Sequence, residues 1–263
     1  MKNNLIFIRY IIIFVLLIFI TGHALEVPLD FHGGGFLGKY LNSDTTRYNM
    51  DASINIYCSI LKHRRASFFV RYRDDLDMAE QTGGVSLDPR YAHYYITGGF
   101  DYTLPSVFMA IYFVHDCVHD IDYDVEGTPV FNRFRMQCAD SDFHPSTRYT
   151  STDRFLWNIE FGIYPHWKYH GWDINAGADY TFEATTEVVW EWFRRGSFGS
   201  SIHPRLQIIK GDSTWYHQHK ASILAYVSTN GKRIGTELTY NIWNNDPIKD
   251  PDKLWLLSLF LAF

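Results

Sequence analysis

The run His115-Asp116-Cys117-Val118-His119 sets an imidazole, a thiol and a second imidazole at alternate positions. In an extended strand such residues share one face. Val107, Met109, Ile111 and Phe113 lead into the run with the same parity, so the face that begins apolar turns chemical at His115. Glu126-Gly127-Thr128-Pro129 can turn the chain, and Val130, Phe134 and Met136 form the apolar face of the return, interrupted by Asn132. Arg133, Arg135 and Gln137 take the opposite face. His115, Cys117, His119 and Asn132 are therefore expected to look the same way. Thiol, imidazole and amide together make a nucleophile, a base that lowers the thiol pKa, and a group that fixes the ring. With the turn near Gly127, Asn132 falls diagonal to His119, which favours the trio Cys117, His119 and Asn132. Three other readings fit the same residues. Cys117 and Cys138 could form a cross-strand disulfide around a two-residue turn at Gly127-Thr128, leaving Cys58 as a lone thiol. His115, Cys117 and His119 could hold a metal ion, although the outer members of such a trio stand about 13 Å apart on a regular strand. The polar run could also be the water-exposed tip of a long strand.

The segment 114–138 resembles the hydrolytic motif of outer-membrane phospholipase A and the lipid A deacylases. In those barrels the reacting residues sit on the outer wall. His115 and Cys117 match the family's His-x-nucleophile spacing, with Cys in place of Ser, and Phe131-Asn132-Arg133 resembles the Asn-Arg pair of the following strand. The Ser-Asn-Gly segment that usually follows the His is absent. The resemblance implies a lipid esterase or deacylase with Cys117 as nucleophile, His115 or His119 as base and Asn132 orienting the ring. Its substrates would be phospholipid or lipid A.

The elements that must carry these residues are strands. Period-two alternation dominates 50–60, 68–72, 155–163, 172–182 and 234–242, and further strands are expected near 90–104, 106–119, 129–138, 187–195, 201–210 and 214–228. Asn230-Gly231 is a strong hairpin turn. The expected fold is all-β: a single transmembrane antiparallel β-barrel of about 10–12 strands over residues 50–263, preceded by a signal peptide at 1–24 and a periplasmic leader at 25–49. In that scheme Gly33-Gly34-Gly35 belongs to a flexible linker. The long connections near 120–128 and 139–152 do not alternate properly with short ones, so one strand must be missed, split or merged, with 183–200 the first place to look. Arg71, Arg73, Arg133, Arg135, Glu160, Asp173, Asp179, Glu183 and Glu237 share the polar faces, and opposite charges across a narrow interior tend to pair and fill it.

The chain ends decide between a membrane barrel and a soluble one. Trp255, Leu257, Leu259, Leu261 and Phe263 lie on one face of the final strand, which resembles the insertion signal of bacterial outer-membrane barrels. Lys2 and Arg9, the uncharged run Tyr10–Ile20 and the small residues before a cut after Ala24 have the parts of a secretory signal peptide. Aromatic residues make up 17% of the 263-residue chain, a surplus that suits water–lipid boundaries. The formal charge of −5 with no basic block argues against nucleic acid. The localisation expected is the bacterial outer membrane. The partners expected are its lipids and lipopolysaccharide, and the barrel-assembly machinery through the last strand. Two functions fit: a barrel without catalysis, acting as a narrow channel, surface protein or structural component, and the lipid esterase above. A soluble periplasmic ligand-binding barrel is a third class, and it requires apolar residues inside. His217 and His219 share a face beside Trp215 as an interfacial belt or metal ligands, His166 and His170 flank Trp167 in the same manner, and Asp246 and Asp250 mark a loop. The sequence assigns no cofactor.

Overall fold

The computed structural model describes residues 27, 29–80, 88–120, 130–143, 155–166, 180–246 and 252–263. Twelve antiparallel strands close into one barrel, each bonded to its sequence neighbours and the first to the last. They are β1 (Asp30–Leu41), β2 (Met50–His63), β3 (Ala66–Ala79), β4 (Asp88–Thr103), β5 (Val107–Asp120), β6 (Arg133–Asp140), β7 (Phe155–Ile163), β8 (Tyr180–Arg195), β9 (Phe198–Gly211), β10 (Trp215–Thr229), β11 (Lys232–Asn244) and β12 (Trp255–Ala262). Closure leaves no open edge, which is the condition for strands to cross a bilayer.

Alternation decides which face is which. In β12, Trp255, Leu257, Leu259 and Leu261 are exposed on the outer wall, while Leu256, Ser258 and Phe260 are buried inside. Across the barrel the outer face is apolar and the inner face mixed: Ile111, Met136, Ile159 and Ile234 are exposed, whereas Asp116, Arg133, Glu183 and Gln207 are buried inside alongside apolar groups such as Phe108, Leu156 and Val189. A soluble barrel with an apolar interior is thereby excluded, since exposed apolar bands of this extent are stable only against lipid.

Residues 25–49 are not a leader ahead of the barrel. Asp30–Leu41 is the closing strand, paired with β12 from Gly34↔Ala262 to Leu41↔Trp255 and with β2 from Asp30↔Ser59 to Lys39↔Met50. Gly33-Gly34-Gly35 is strand, not linker. The neighbouring backbone comes so close that a Cβ on Gly35 would stand 2.5 Å from the Ser53 carbonyl oxygen. The terminal Phe263 completes the seam, exchanging two 2.8 Å backbone hydrogen bonds with Gly33. The expected strands at 172–182 and 187–195 are also corrected, because β8 runs unbroken from Tyr180 to Arg195. Residues 167–179, including Asp173 and Asp179, lie outside the described residues, as does the proposed signal peptide. One strand was thus missed and one split, while the consecutive long connections on either side of β6 remain.

With β1 in place the connections sort by end. Turns at 64–65, 104–106, 196–197 and 230–231 share the end that holds Asp30 and Phe263; 141–154 is the long exception there, and 212–214 is the short exception at the opposite end. Asn230 and Gly231 both have positive φ, 49° and 75°, the conformation a two-residue hairpin of this twist needs. β5 runs from the short-turn end toward the long connection that follows Asp120, so its second half approaches the opposite rim.

Candidate active site on the outer wall

Register brings the two halves of the site together. β5 and β6 pair from Val107↔Asp140 to Val114↔Arg133, and an isolated bridge continues the ladder at Cys117↔Val130. Phe131 N–H donates to the Asp116 carbonyl at 2.7 Å, between those points. His115 therefore stands level with Asn132, and its Nδ1 lies 2.8 Å from Asn132 Oδ1. Since an amide oxygen only accepts, the imidazole carries its proton on Nδ1 and presents Nε2 as a base. Both residues have outward parity: Ile111 and Met109 are exposed on the same face, and Asp116 and Arg133 point into the lumen.

Cys117 follows two residues on, roughly 6.6 Å along the same face. It is buried at 7% exposure, and its thiol points at the Tyr94 carbonyl, 3.9 Å away. His119 takes the next outward position, where its ring meets Tyr94 edge-on at 5.2 Å. The structure thus pairs Asn132 with His115 and not with His119, so the expected trio of Cys117, His119 and Asn132 is corrected. A turn at Gly127-Thr128 would have placed Asn132 differently, but the ladder fixes another register. The same register removes the disulfide: Cys138 pairs with Met109, far down the strand from Cys117, and Cys58, Cys117 and Cys138 are all free thiols. Among the described residues no group of three His, Cys, Asp or Glu side chains converges as a metal site, so His115, Cys117 and His119 do not share an ion.

Behind the outward dyad lies a lumen cluster. Asp116, between His115 and Cys117, is fully buried and bonds to His93 and Arg133. Arg133, next to Asn132, is 2% exposed and lies between the rings of Tyr95 and Tyr164, at 5.9 and 5.7 Å. Its Nε is 2.9 Å from Glu183 Oε1, an ion pair whose angle is not that of a hydrogen bond. Glu183 also receives Arg135, Tyr164 OH at 2.9 Å and Gln207 Nε2 at 3.0 Å. Arg135 reaches Glu160 at 3.0 Å. A buried carboxylate with this many donors is satisfied, and the network ties β5, β6, β7, β8 and β9 together. The outward pair and the lumen cluster alternate residue by residue on the same two strands. Fixing Asp116 and Arg133 therefore fixes the backbone that aims His115 and Asn132. Sequence reasoning missed this support. Its visible signal was that the residues between the outward candidates are an Asp and an Arg.

Arg71 and Arg73 also face the lumen, Arg71 donating to Asn55 at 2.7 Å and Arg73 pairing with Asp75. The charges fill the interior as their mixed signs implied, and the cavity that they line holds about 220 Å³. Among the other candidates, His166 meets the Tyr180 carbonyl at 2.5 Å, and Asp246 accepts from Tyr180 OH and Gln218, both at 2.6 Å. His170, Trp167 and Asp250 lie outside the described residues.

No family model matches the chain, and no curated protein matches it. Among solved structures it is similar to outer membrane phospholipase A from Escherichia coli, with 8% identity over 88% of this chain and 92% of that one, at a TM-score of 0.55. It is also similar to the Salmonella typhi outer membrane phospholipase dimer with bound calcium, with 10% identity over 92% and 93% of the two chains, at a TM-score of 0.54. At these identities the likeness is one of fold. The fold is that of bacterial outer-membrane β-barrels, and the apolar outer wall places the chain in that membrane; in such barrels the short-turn end faces the periplasm.

Proposed function

We propose that this outer-membrane barrel is a lipid-facing acyl hydrolase, with Cys117 as nucleophile, His115 as base and Asn132 as the group that holds the imidazole. The observation that carries the reading is the 2.8 Å contact between His115 Nδ1 and Asn132 Oδ1 on the outer wall. A hydrogen-bonded polar pair on a lipid-facing surface is costly without a role, and this pair leaves Nε2 directed as a base on the face that also carries Cys117. The substrate class is an acyl ester of the outer leaflet, in phospholipid or lipid A, because His115, Cys117 and Asn132 have outward parity. That the two similar barrels are phospholipases by name supports the choice.

The proposed chemistry requires the Cys117 thiol to turn from the Tyr94 carbonyl toward His115, two residues back on the same face. His115 Nε2 takes the Cys117 thiol proton as the sulfur attacks the ester carbonyl carbon. The resulting tetrahedral intermediate expels the alkoxide, which recovers that proton from the imidazolium. Water, deprotonated by the same Nε2, then cleaves the thioester and releases a fatty acid. Asn132 keeps the ring from rotating and stabilises the imidazolium through its Oδ1. The alternative is a barrel without catalysis, acting as a narrow channel, surface protein or structural component; the paired charges and small cavity of the lumen argue against a wide pore. We assign the last strand, Trp255–Ala262 with Phe263, as the segment that the assembly machinery would recognise.

The test is acyl release from detergent-dispersed phospholipid and lipid A, with calcium present, by the folded protein and its His115→Ala and His119→Ala variants. General-base catalysis contributes about 10²–10⁴-fold, so His115→Ala should lose activity on that scale and His119→Ala should retain most of it. No release from the native protein, or equal release from all three, leaves a barrel without catalysis.

A further inference from the structure

A second imidazole cluster lies on the outer wall at the long-connection rim, five strands from the candidate active site. His217 and His219 stand two residues apart near the start of β10 with outward parity, beside the exposed Trp215. His217 Nδ1 is 3.3 Å from His219 Nε2. Zinc–imidazole bonds of about 2.0–2.1 Å at a tetrahedral angle separate two donor nitrogens by about 3.3–3.4 Å. The contact is a hydrogen bond between the two rings, which an incoming ion would replace. The two rings are thus spaced as two ligands of one ion.

The rings are also held. His217 stacks on Trp243 with centroids 4.0 Å apart and planes 10° from parallel, and His219 meets the same indole edge-on at 5.6 Å. Trp243 reaches this position through a break in register between His219 and Lys220, which sets Trp243 opposite His219. The backbone at the rim is pinned as well: His217 N–H donates to Asn245 Oδ1 at 2.6 Å and Asn245 N–H donates to the His217 carbonyl at 3.2 Å. Preorganised donors lower the cost of taking up an ion.

We infer that His217 and His219 form a bidentate site for a divalent transition-metal ion of the zinc, nickel or copper class, with water completing the coordination. The site is reached from outside the cell, because it lies at the rim that carries the long connections. It does not depend on the acyl-hydrolase reading. Imidazole ligands select this class over calcium or magnesium, which prefer oxygen.

The test uses the full chain, folded in detergent, titrated with zinc chloride, nickel chloride and copper chloride, with calcium chloride as control. One transition-metal ion per chain should bind and calcium should not. Removing an outer-sphere partner of a metal ligand costs about 10–100-fold in affinity, so loss of a ligand in His217→Ala or His219→Ala should weaken binding by at least about tenfold. His115→Ala and His119→Ala should leave binding unchanged. Copper should quench fluorescence, and Trp243→Phe should keep the binding but lose most of the quenching. Where an Ala variant fails to show the heat-modifiable migration of a folded barrel, His217→Gln and His219→Gln give the same comparison. Copper bound to the native protein should also show spectral coupling to two imidazole nitrogens. Equal affinity in the native and both His-substituted proteins, or no saturable binding by the native protein, overturns the site.

Discussion

Replacing Arg133 by Met tests whether the lumen cluster holds up the outer wall. Met fills much of the same space but carries no charge. Asp116 would lose its Arg133 partner and keep His93, while Glu183 would keep Arg135, Tyr164 and Gln207. Asp116 is fully buried, so its lost partner is not replaced by water. Breaking a buried pair from one side costs about 3–5 kcal/mol. With a denaturant dependence of about 3 kcal/mol per molar urea, the unfolding midpoint should fall by about 1–2 M. The double variant Arg133→Met with Asp116→Asn removes the stranded charge and should recover a substantial part of the loss. The assay is urea unfolding of the lipid-embedded barrel, followed by heat-modifiable migration, with acyl release measured in parallel on the fraction that remains folded. That fraction should show reduced release, because the backbone that aims Asn132 has lost its anchor. An Arg133→Met protein as stable and as active as the native one would refute the argument that the lumen cluster positions the outward pair.

Thiol labelling of denatured, unreduced protein should find three reactive cysteines, since Cys58, Cys117 and Cys138 are all free; a single reactive thiol would restore the Cys117–Cys138 bridge that the register excludes. Gly199→Val should destabilise the barrel by about 1–3 kcal/mol in the same urea assay, because a Cβ there would stand 2.5 Å from the ring of Tyr226; an unchanged midpoint would show that the ring moves aside freely.

The parts of the fold that were legible in the sequence are those where alternation is uninterrupted. Trp255 to Phe263, Phe155 to Ile163 and Ile234 to Ile242 each show one apolar and one mixed face, and each is a strand with its apolar face on lipid. β1 was not legible because four of its twelve residues are glycine. A glycine carries no side chain to mark a face, and here it is chosen for close approach to the neighbouring strand, not for flexibility. β8 looked like two strands because Trp190, Trp192 and Phe193 are all exposed, where an outward-facing bulge between Glu191 and Phe193 breaks the period. Outward parity of His115, Cys117, His119 and Asn132 was readable from Val107 onward. Which imidazole meets Asn132 was not, because strand register depends on the whole ladder and not on the turn residues alone. The buried support from Asp116, Arg133 and Glu183 joins positions up to 67 residues apart and leaves no local pattern.

The proposed attack of Cys117 on an acyl ester from the outer wall would leave an acyl group on its sulfur. It is tested most directly by mass spectrometry of the folded protein quenched with acid during incubation with phospholipid or lipid A. A fatty-acyl mass should appear on the peptide that carries Cys117, be removed by hydroxylamine and be missing from the His115→Ala protein. Acyl release with Cys117 unmodified, or undiminished release by Cys117→Ala, would contradict it.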